Sequence, residues 1–133
     1  MITKKIINPQ RVRRIEDGFS FIPHRFLTDG FLASLSQNEL LLYLFLVLAS
    51  DRYGLSYYAY DSICSLLQLT VEDYMEAREC LIEKDLIVFN GTIFQVLDLP
   101  LTPVKIITPK EDPVHRGRVA QLIRESLKEV NHA

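Results

Sequence analysis

Leu40 to Ala49 is an unbroken apolar run of ten residues lying between Glu39 and Asp51. Ser36-Gln37-Asn38-Glu39 ahead of it forms a capping box, in which the Ser36 hydroxyl accepts from the Glu39 N–H and the Glu39 side chain reaches back. The pattern predicts a helix ending near Ser50. Since it is apolar on every side, it is either central to the core or also lines a subunit interface. Gly54 breaks the chain, and Leu55 to Tyr60 reads as a short extended segment. Asp61 is expected to cap a second helix through about Leu67, burying Ile63, Cys64, Leu66 and Leu67. Thr70, with Asp73 three residues on, opens a third helix through about Lys84. Two short capped helices with a tight turn between them match the helix-turn-helix pattern.

After the third helix, Leu86-Ile87-Val88-Phe89 and Thr92 to Leu97 flank Asn90-Gly91. Asn-Gly between β-branched and aromatic runs is a strong hairpin signal, because both turn residues tolerate positive φ. The expected fold class is mainly α with a small β-hairpin (α+β), a winged helix-turn-helix. Residues 1–18, with Pro9 and Gly18 among scattered bases, read as an extended basic arm. Lys5-Ile6-Ile7-Asn8-Pro9 echoes Lys105-Ile106-Ile107-Thr108-Pro109, so each flank can supply a short strand. Phe19 to Phe26, interrupted by Pro23, packs as irregular structure or one short strand, and Asp29 to Leu35 is a candidate short helix. The folded body spans 19–99. Pro100, Pro103, Pro109 and Pro113 stiffen a linker over 100–113. Within 114–133, Val119, Leu122, Ile123, Leu127 and Val130 recur at helical spacing, predicting an amphipathic helix. So short a helix must dock to be stable, either on its own body or on a second copy.

Composition bounds these readings. The chain has 133 residues, 48% hydrophobic and 24% charged, which suits one soluble globular domain with arms. No apolar run approaches the roughly 20 residues a bilayer requires, and no signal-peptide stretch follows Lys4 and Lys5. The two cysteines, Cys64 and Cys80, each lie inside an apolar stretch and do not read as a disulfide scaffold, and a cytoplasmic setting is expected.

The net charge of −2 conceals an asymmetry. Residues 1–14 carry Lys4, Lys5, Arg11, Arg13 and Arg14 with no acid. Residues 15–100 hold thirteen acids against Arg25, Arg52, Arg78 and Lys84, and residues 101–133 hold six bases against four acids. An acidic body thus sits between a basic arm and a mildly basic tail.

Leu35 to Leu97 resembles the winged-helix domains of bacterial replication initiators, primosome-assembly proteins and mobile-element accessory proteins. The resemblance is carried by Leu42-Tyr43-Leu44-Phe45-Leu46, by Gly54-Leu55-Ser56-Tyr57-Tyr58 and by Asp61-Ser62-Ile63-Cys64-Ser65-Leu66-Leu67. Ala77, with Leu81 through Ile87, completes it. Asp85 stands where such domains often place glycine before the wing, and aspartate tolerates the left-handed conformation next best. The resemblance implies a winged helix and a role in DNA transactions or protein association, since the fold serves both.

In helix-turn-helix proteins the second motif helix offers side chains to the major groove. Here Glu72, Glu76, Glu79 and Glu83 fall within about 60° of one another on the face opposite Tyr74, Ala77, Arg78 and Leu81. Such a stripe repels phosphates. It reads as a solvated face, as a docking surface for a basic protein partner, or as a direct reader of bases through glutamate–cytosine contacts. Duplex DNA contact is expected instead from Lys4, Lys5, Arg11, Arg13 and Arg14, which can follow phosphates or a minor groove, although a solubilising terminus explains the same bases. The wing tip Asn90-Gly91-Thr92 offers backbone and hydroxyl contacts to phosphate. Arg116, Arg118, Arg124 and Lys128 add to the footprint if the tail lies alongside.

Candidate chemistry is sparse. His24, His115 and His132 stand apart from both cysteines and from any carboxylate cluster at ligand spacing, so no metal is expected. The five glycines form no phosphate loop, and no nucleophile elbow occurs, so neither cofactor nor catalytic residue is expected. The sequence therefore points to a DNA-associated accessory protein of replication, mobile elements or transcription, or to a protein-interaction module that never touches nucleic acid. A homodimer through helix 36–50 or the C-terminal helix stands as an alternative to burial of both within one chain.

Overall fold

The computed structural model describes residues 2–104. Four helices are present among them: α1 (Arg25–Thr28), α2 (Gln37–Ala49), α3 (Tyr60–Leu67) and α4 (Val71–Glu83). Three strands, β1 (Leu55–Ser56), β2 (Ile87–Phe89) and β3 (Phe94–Val96), form one antiparallel sheet in the order β1-β3-β2. The fold is mainly helical with this small sheet, an α+β arrangement. No helix of the described residues is long and apolar enough to cross a membrane.

The capped helices begin where the sequence places them. The Ser36 hydroxyl accepts from the Glu39 N–H at 3.2 Å and donates to Glu39 Oε2 at 2.7 Å, so the reach-back ends on the hydroxyl. Thr70 Oγ1 accepts from the Asp73 N–H at 3.0 Å. The expected Asp61 cap is corrected. Helix α3 starts at Tyr60 behind Ala59, with no side-chain cap, and Asp61 Oδ1 instead accepts from the Ser62 N–H. It ends on Gln68 at φ +55, and Asp85 turns the chain out of α4 at φ +61, the left-handed conformation expected there.

Helix α2 is buried on one side only. Glu39, Leu42, Tyr43, Leu46 and Val47 face inward, whereas Leu41, Leu44 and Leu48 are 38%, 38% and 75% exposed. Its inner face meets Tyr74, Ala77 and Leu81 of α4, and Ile63, Leu86, Ile87 and Phe94 complete the centre of the core. Phe26 stacks on Tyr43 with centroids 5.0 Å apart, which seats α1 against α2. Of the four residues expected to be buried on α3, only Ile63 is fully so. Leu66 is 62% exposed.

Strand β1 covers only two residues of the predicted extended segment. It pairs with β3, Leu55 opposite Gln95 and Ser56 opposite Phe94. This pairing depends on Gly54 at φ +84: a Cβ there would lie 2.5 Å from the Val96 carbonyl oxygen, and the Val96 N–H donates to the Gly54 carbonyl at 2.8 Å. The hairpin is present, but its connection is longer than the expected Asn-Gly pair. Phe89 sits opposite Phe94, leaving Asn90 to Ile93 as a four-residue loop.

The chain before α2 also differs from expectation. Phe19 to His24 is irregular, one of the two expected forms, but α1 begins at Arg25 and takes in Phe26 from that segment, and only a 3-10 turn, Leu32–Ser34, forms within Asp29–Leu35. Residues 5–9 form no strand, and their partner segment 105–109 lies outside the described residues. So does the expected amphipathic helix 114–133, and the linker is described only to Val104. Arg25 fastens the end of the described chain. Its guanidinium donates to the carbonyls of Leu99, Pro100 and Leu101 at 3.4, 2.6 and 3.4 Å, and lies 5.4 Å from the Phe31 ring centroid.

Candidate nucleic-acid and partner surfaces

The arm leaves the body through Asp17 and Gly18, both at positive φ. Pro at the first turn position and Asn8, whose side chain accepts from the Gln10 N–H at 3.1 Å, form a 3-10 turn over Pro9–Arg11. Lys4, Lys5, Arg11, Arg13 and Arg14 are all exposed. Only Arg14 forms an ion pair among the described residues, 2.7 Å from Glu16, and both side chains are largely solvated. Such a pair is worth well under about 1 kcal/mol and yields readily to a phosphate.

The wing-tip candidates are held differently. Asn90 Oδ1 accepts from the N–H groups of both Thr92 and Ile93, at 2.9 and 2.8 Å, so the Thr92 amide turns inward. Gly91 is exposed at φ +98 with nothing near its would-be Cβ. The Thr92 amide is thereby taken up, whereas the Gly91 backbone, the Thr92 hydroxyl and the Asn90 Nδ2 amide remain candidates to face phosphate.

Helix α4 keeps Tyr74, Ala77 and Leu81 in the core. Opposite them Glu76 and Glu83 are exposed, while Glu72 and Glu79 are half-buried. Arg78, placed with the core side by its spacing, is held there by two aromatic rings. Its guanidinium lies 5.5 Å from the Tyr74 ring centroid and 5.0 Å from that of Phe89, and it donates to Glu79 Oε1 from Nε and Nη2. It therefore bolts β2 to α4 and neutralises one member of the stripe. Lys84 is likewise turned inward, donating to the Glu39 carboxylate and to the Ser34 carbonyl at 2.7 Å. Glu76 and Glu83 thus stand exposed on the outer face of α4, while the two nearby cations, Arg78 and Lys84, point away from it, a poor arrangement for meeting DNA phosphates.

Sequence reasoning missed two features. One is the Glu39–Lys84 pair, hidden because its members are 45 residues apart. The other is a cleft of about 240 Å³ where Phe19 and Phe21 cross the end of α2, closed by Tyr53 and Asp98. The aromatic clustering before Pro23 was its only sequence signal. Neither thiol is activated. Burial, with Asp61 adding to it, pushes Cys64 up, and burial together with Glu39 pushes Cys80 up to about 11. Among the described residues no cluster of three or more His, Cys, Asp or Glu side chains could hold a metal ion.

No protein-family model, curated protein or solved structure matches the chain.

Proposed function

We propose that this is a winged-helix, non-enzymatic accessory protein of a DNA transaction, acting in replication initiation, mobile-element function or transcription. Its electrostatic grip on duplex DNA resides in the arm. The single observation carrying this reading is the charge separation: five exposed cations in residues 4–14, against an α4 outer face of glutamates whose nearby cations, Arg78 and Lys84, are turned inward. The order α2, α3, α4, hairpin, with β1 added to the hairpin strand β3, supports the winged-helix assignment. Two free thiols suit a cytoplasmic setting.

The test is a salt-titrated gel-shift assay on the full chain and on a variant with Lys4, Lys5, Arg11, Arg13 and Arg14 all changed to Gln. Each lost phosphate contact lowers the log–log salt slope by about 0.9, so a variant losing several contacts is expected to flatten the plot visibly. Unchanged affinity and slope would overturn the reading.

A second reading is favoured by the exposure of Glu76 and Glu83 on one side of α4. There the acidic face, including Glu72 and Glu79, holds a basic protein partner, and DNA plays no part. It predicts no duplex binding even at low salt, and a pull-down lost on reversing Glu76 and Glu79 to Lys.

A further inference from the structure

Helix α2 carries an apolar stripe that no described residue covers. Leu41, Leu44 and Leu48, at spacings of three and four, lie within about 60° of one another on its outer side. Leu48 is 75% exposed. Phe45, at the edge of the stripe, packs partly against the core and meets the ring of Tyr58 edge-on at 5.1 Å, and Tyr58 is itself 41% exposed. Three exposed leucines aligned on one helix face make a candidate contact surface on so small a body.

We propose that the stripe is the docking site of the chain's own C-terminal segment, residues 114–133. Three observations select this occupant. The first is reach. The described chain ends at Val104, just after Pro103, whose ring lies 3.7 Å from where a Gly30 Cβ would be. Gly30 is six residues from Ser36, the N-cap of α2, hence within about 22 Å of it by extended-chain length. The ten steps from Val104 to Val114 span up to about 33–36 Å, enough to bring the segment to that end of α2.

The second is periodicity. Val119, Leu122, Ile123, Leu127 and Val130 fall within about 140° on a helical projection. A strip at three-and-four spacing on one helix accepts such a strip on another, ridge into groove. The third is charge. Residues 114–133 carry Arg116, Arg118, Arg124 and Lys128 against two acids, while the body from 15 to 100 carries thirteen acids against four bases. Attraction between the two adds to the apolar contact and disfavours release at low ionic strength.

The chain has no tryptophan, so Leu48→Trp places a single reporter on the stripe. In the full chain its emission is expected to be blue-shifted and shielded from acrylamide, unchanged on dilution. Adding Leu122→Asp and Leu127→Asp is expected to shift the emission to the red and restore quenching. Leu41→Trp repeats the measurement at the other end of the stripe, and far-UV circular dichroism confirms that each variant keeps its helices. Emission unaffected by the two aspartates overturns the proposal. So does shielding that disappears on dilution, which would assign the stripe to a second copy. Neither result depends on the arm, so the DNA reading stands or falls separately.

Discussion

Lys84 Nζ donates to the carboxylate of Glu39, joining the first turn of α2 to the C-cap of α4, with side chains only 13% and 10% exposed. The same carboxylate accepts from the Ser36 hydroxyl, and the ammonium also reaches the Ser34 carbonyl. One ion pair thus satisfies a helix start, a helix end and the 3-10 turn between α1 and α2. Removing either partner strands the other in a nearly closed site. Glu39→Gln and Lys84→Met are each expected to cost about 3 kcal/mol in urea unfolding. The double variant should cost clearly less than the sum. Additive losses in that cycle would mean that the two side chains act independently.

Gly54 separates backbone strain from collision. Gly91→Ala places a Cβ in open space at φ +98 and should cost about 1 kcal/mol. Gly54→Ala adds a contact of 2.5 Å with the Val96 carbonyl, so β1 must part from β3 and the loss should be at least about 2 kcal/mol. Equal losses in the two variants would show that the β1–β3 junction gives way freely.

Arg78 is set between Tyr74 and Phe89 as a planar cation. Lysine keeps the charge but cannot stack over either ring. Arg78→Lys should therefore destabilise the protein by about 1 kcal/mol, read as a lowered Tm, while leaving duplex affinity as it was. A drop in DNA affinity with Tm intact would instead make Arg78 a phosphate contact.

The thiols give a pH signature. Burial holds Cys80 protonated up to about pH 11, above the ordinary thiol value of 9.0. Below pH 9 both folded and unfolded states keep the proton, so that part of the stability is complete. As pH rises from 9 toward 11 the unfolded chain ionises first and stability falls. Cys80→Ala should flatten this decline. Alkylation by iodoacetamide at pH 8 should reach Cys64 before Cys80, and the reverse order would contradict the burial argument.

What could be read from the sequence was local. The Ser36 and Thr70 caps, the ends of α2 and α4 and the existence of the hairpin follow from residues close together in the chain, while the left-handed Asp85 came from the resemblance to winged-helix domains. Asp61 misled because a helix can start on a residue with no side-chain cap when its neighbours supply the packing, here Ile63. Asn90-Gly91 misled because Asn90 folds its carboxamide onto two amides and stabilises a wider loop than the dipeptide suggests. Long-range relationships left no periodic trace: the Glu39–Lys84 pair, the seat of Arg78 on Phe89 and the β1–β3 register. The basic arm was legible as charge. That the cations beside the glutamate stripe turn inward became visible only with the fold.

Arg25 gives the body a single mooring post. By gripping three successive carbonyls at 99–101 from a helix that begins seven residues after Gly18, it gathers the landward ends of both extensions at one place. The Phe19–Pro23 stretch therefore lies in the chain between the arm and the helix that holds the 99–101 carbonyls.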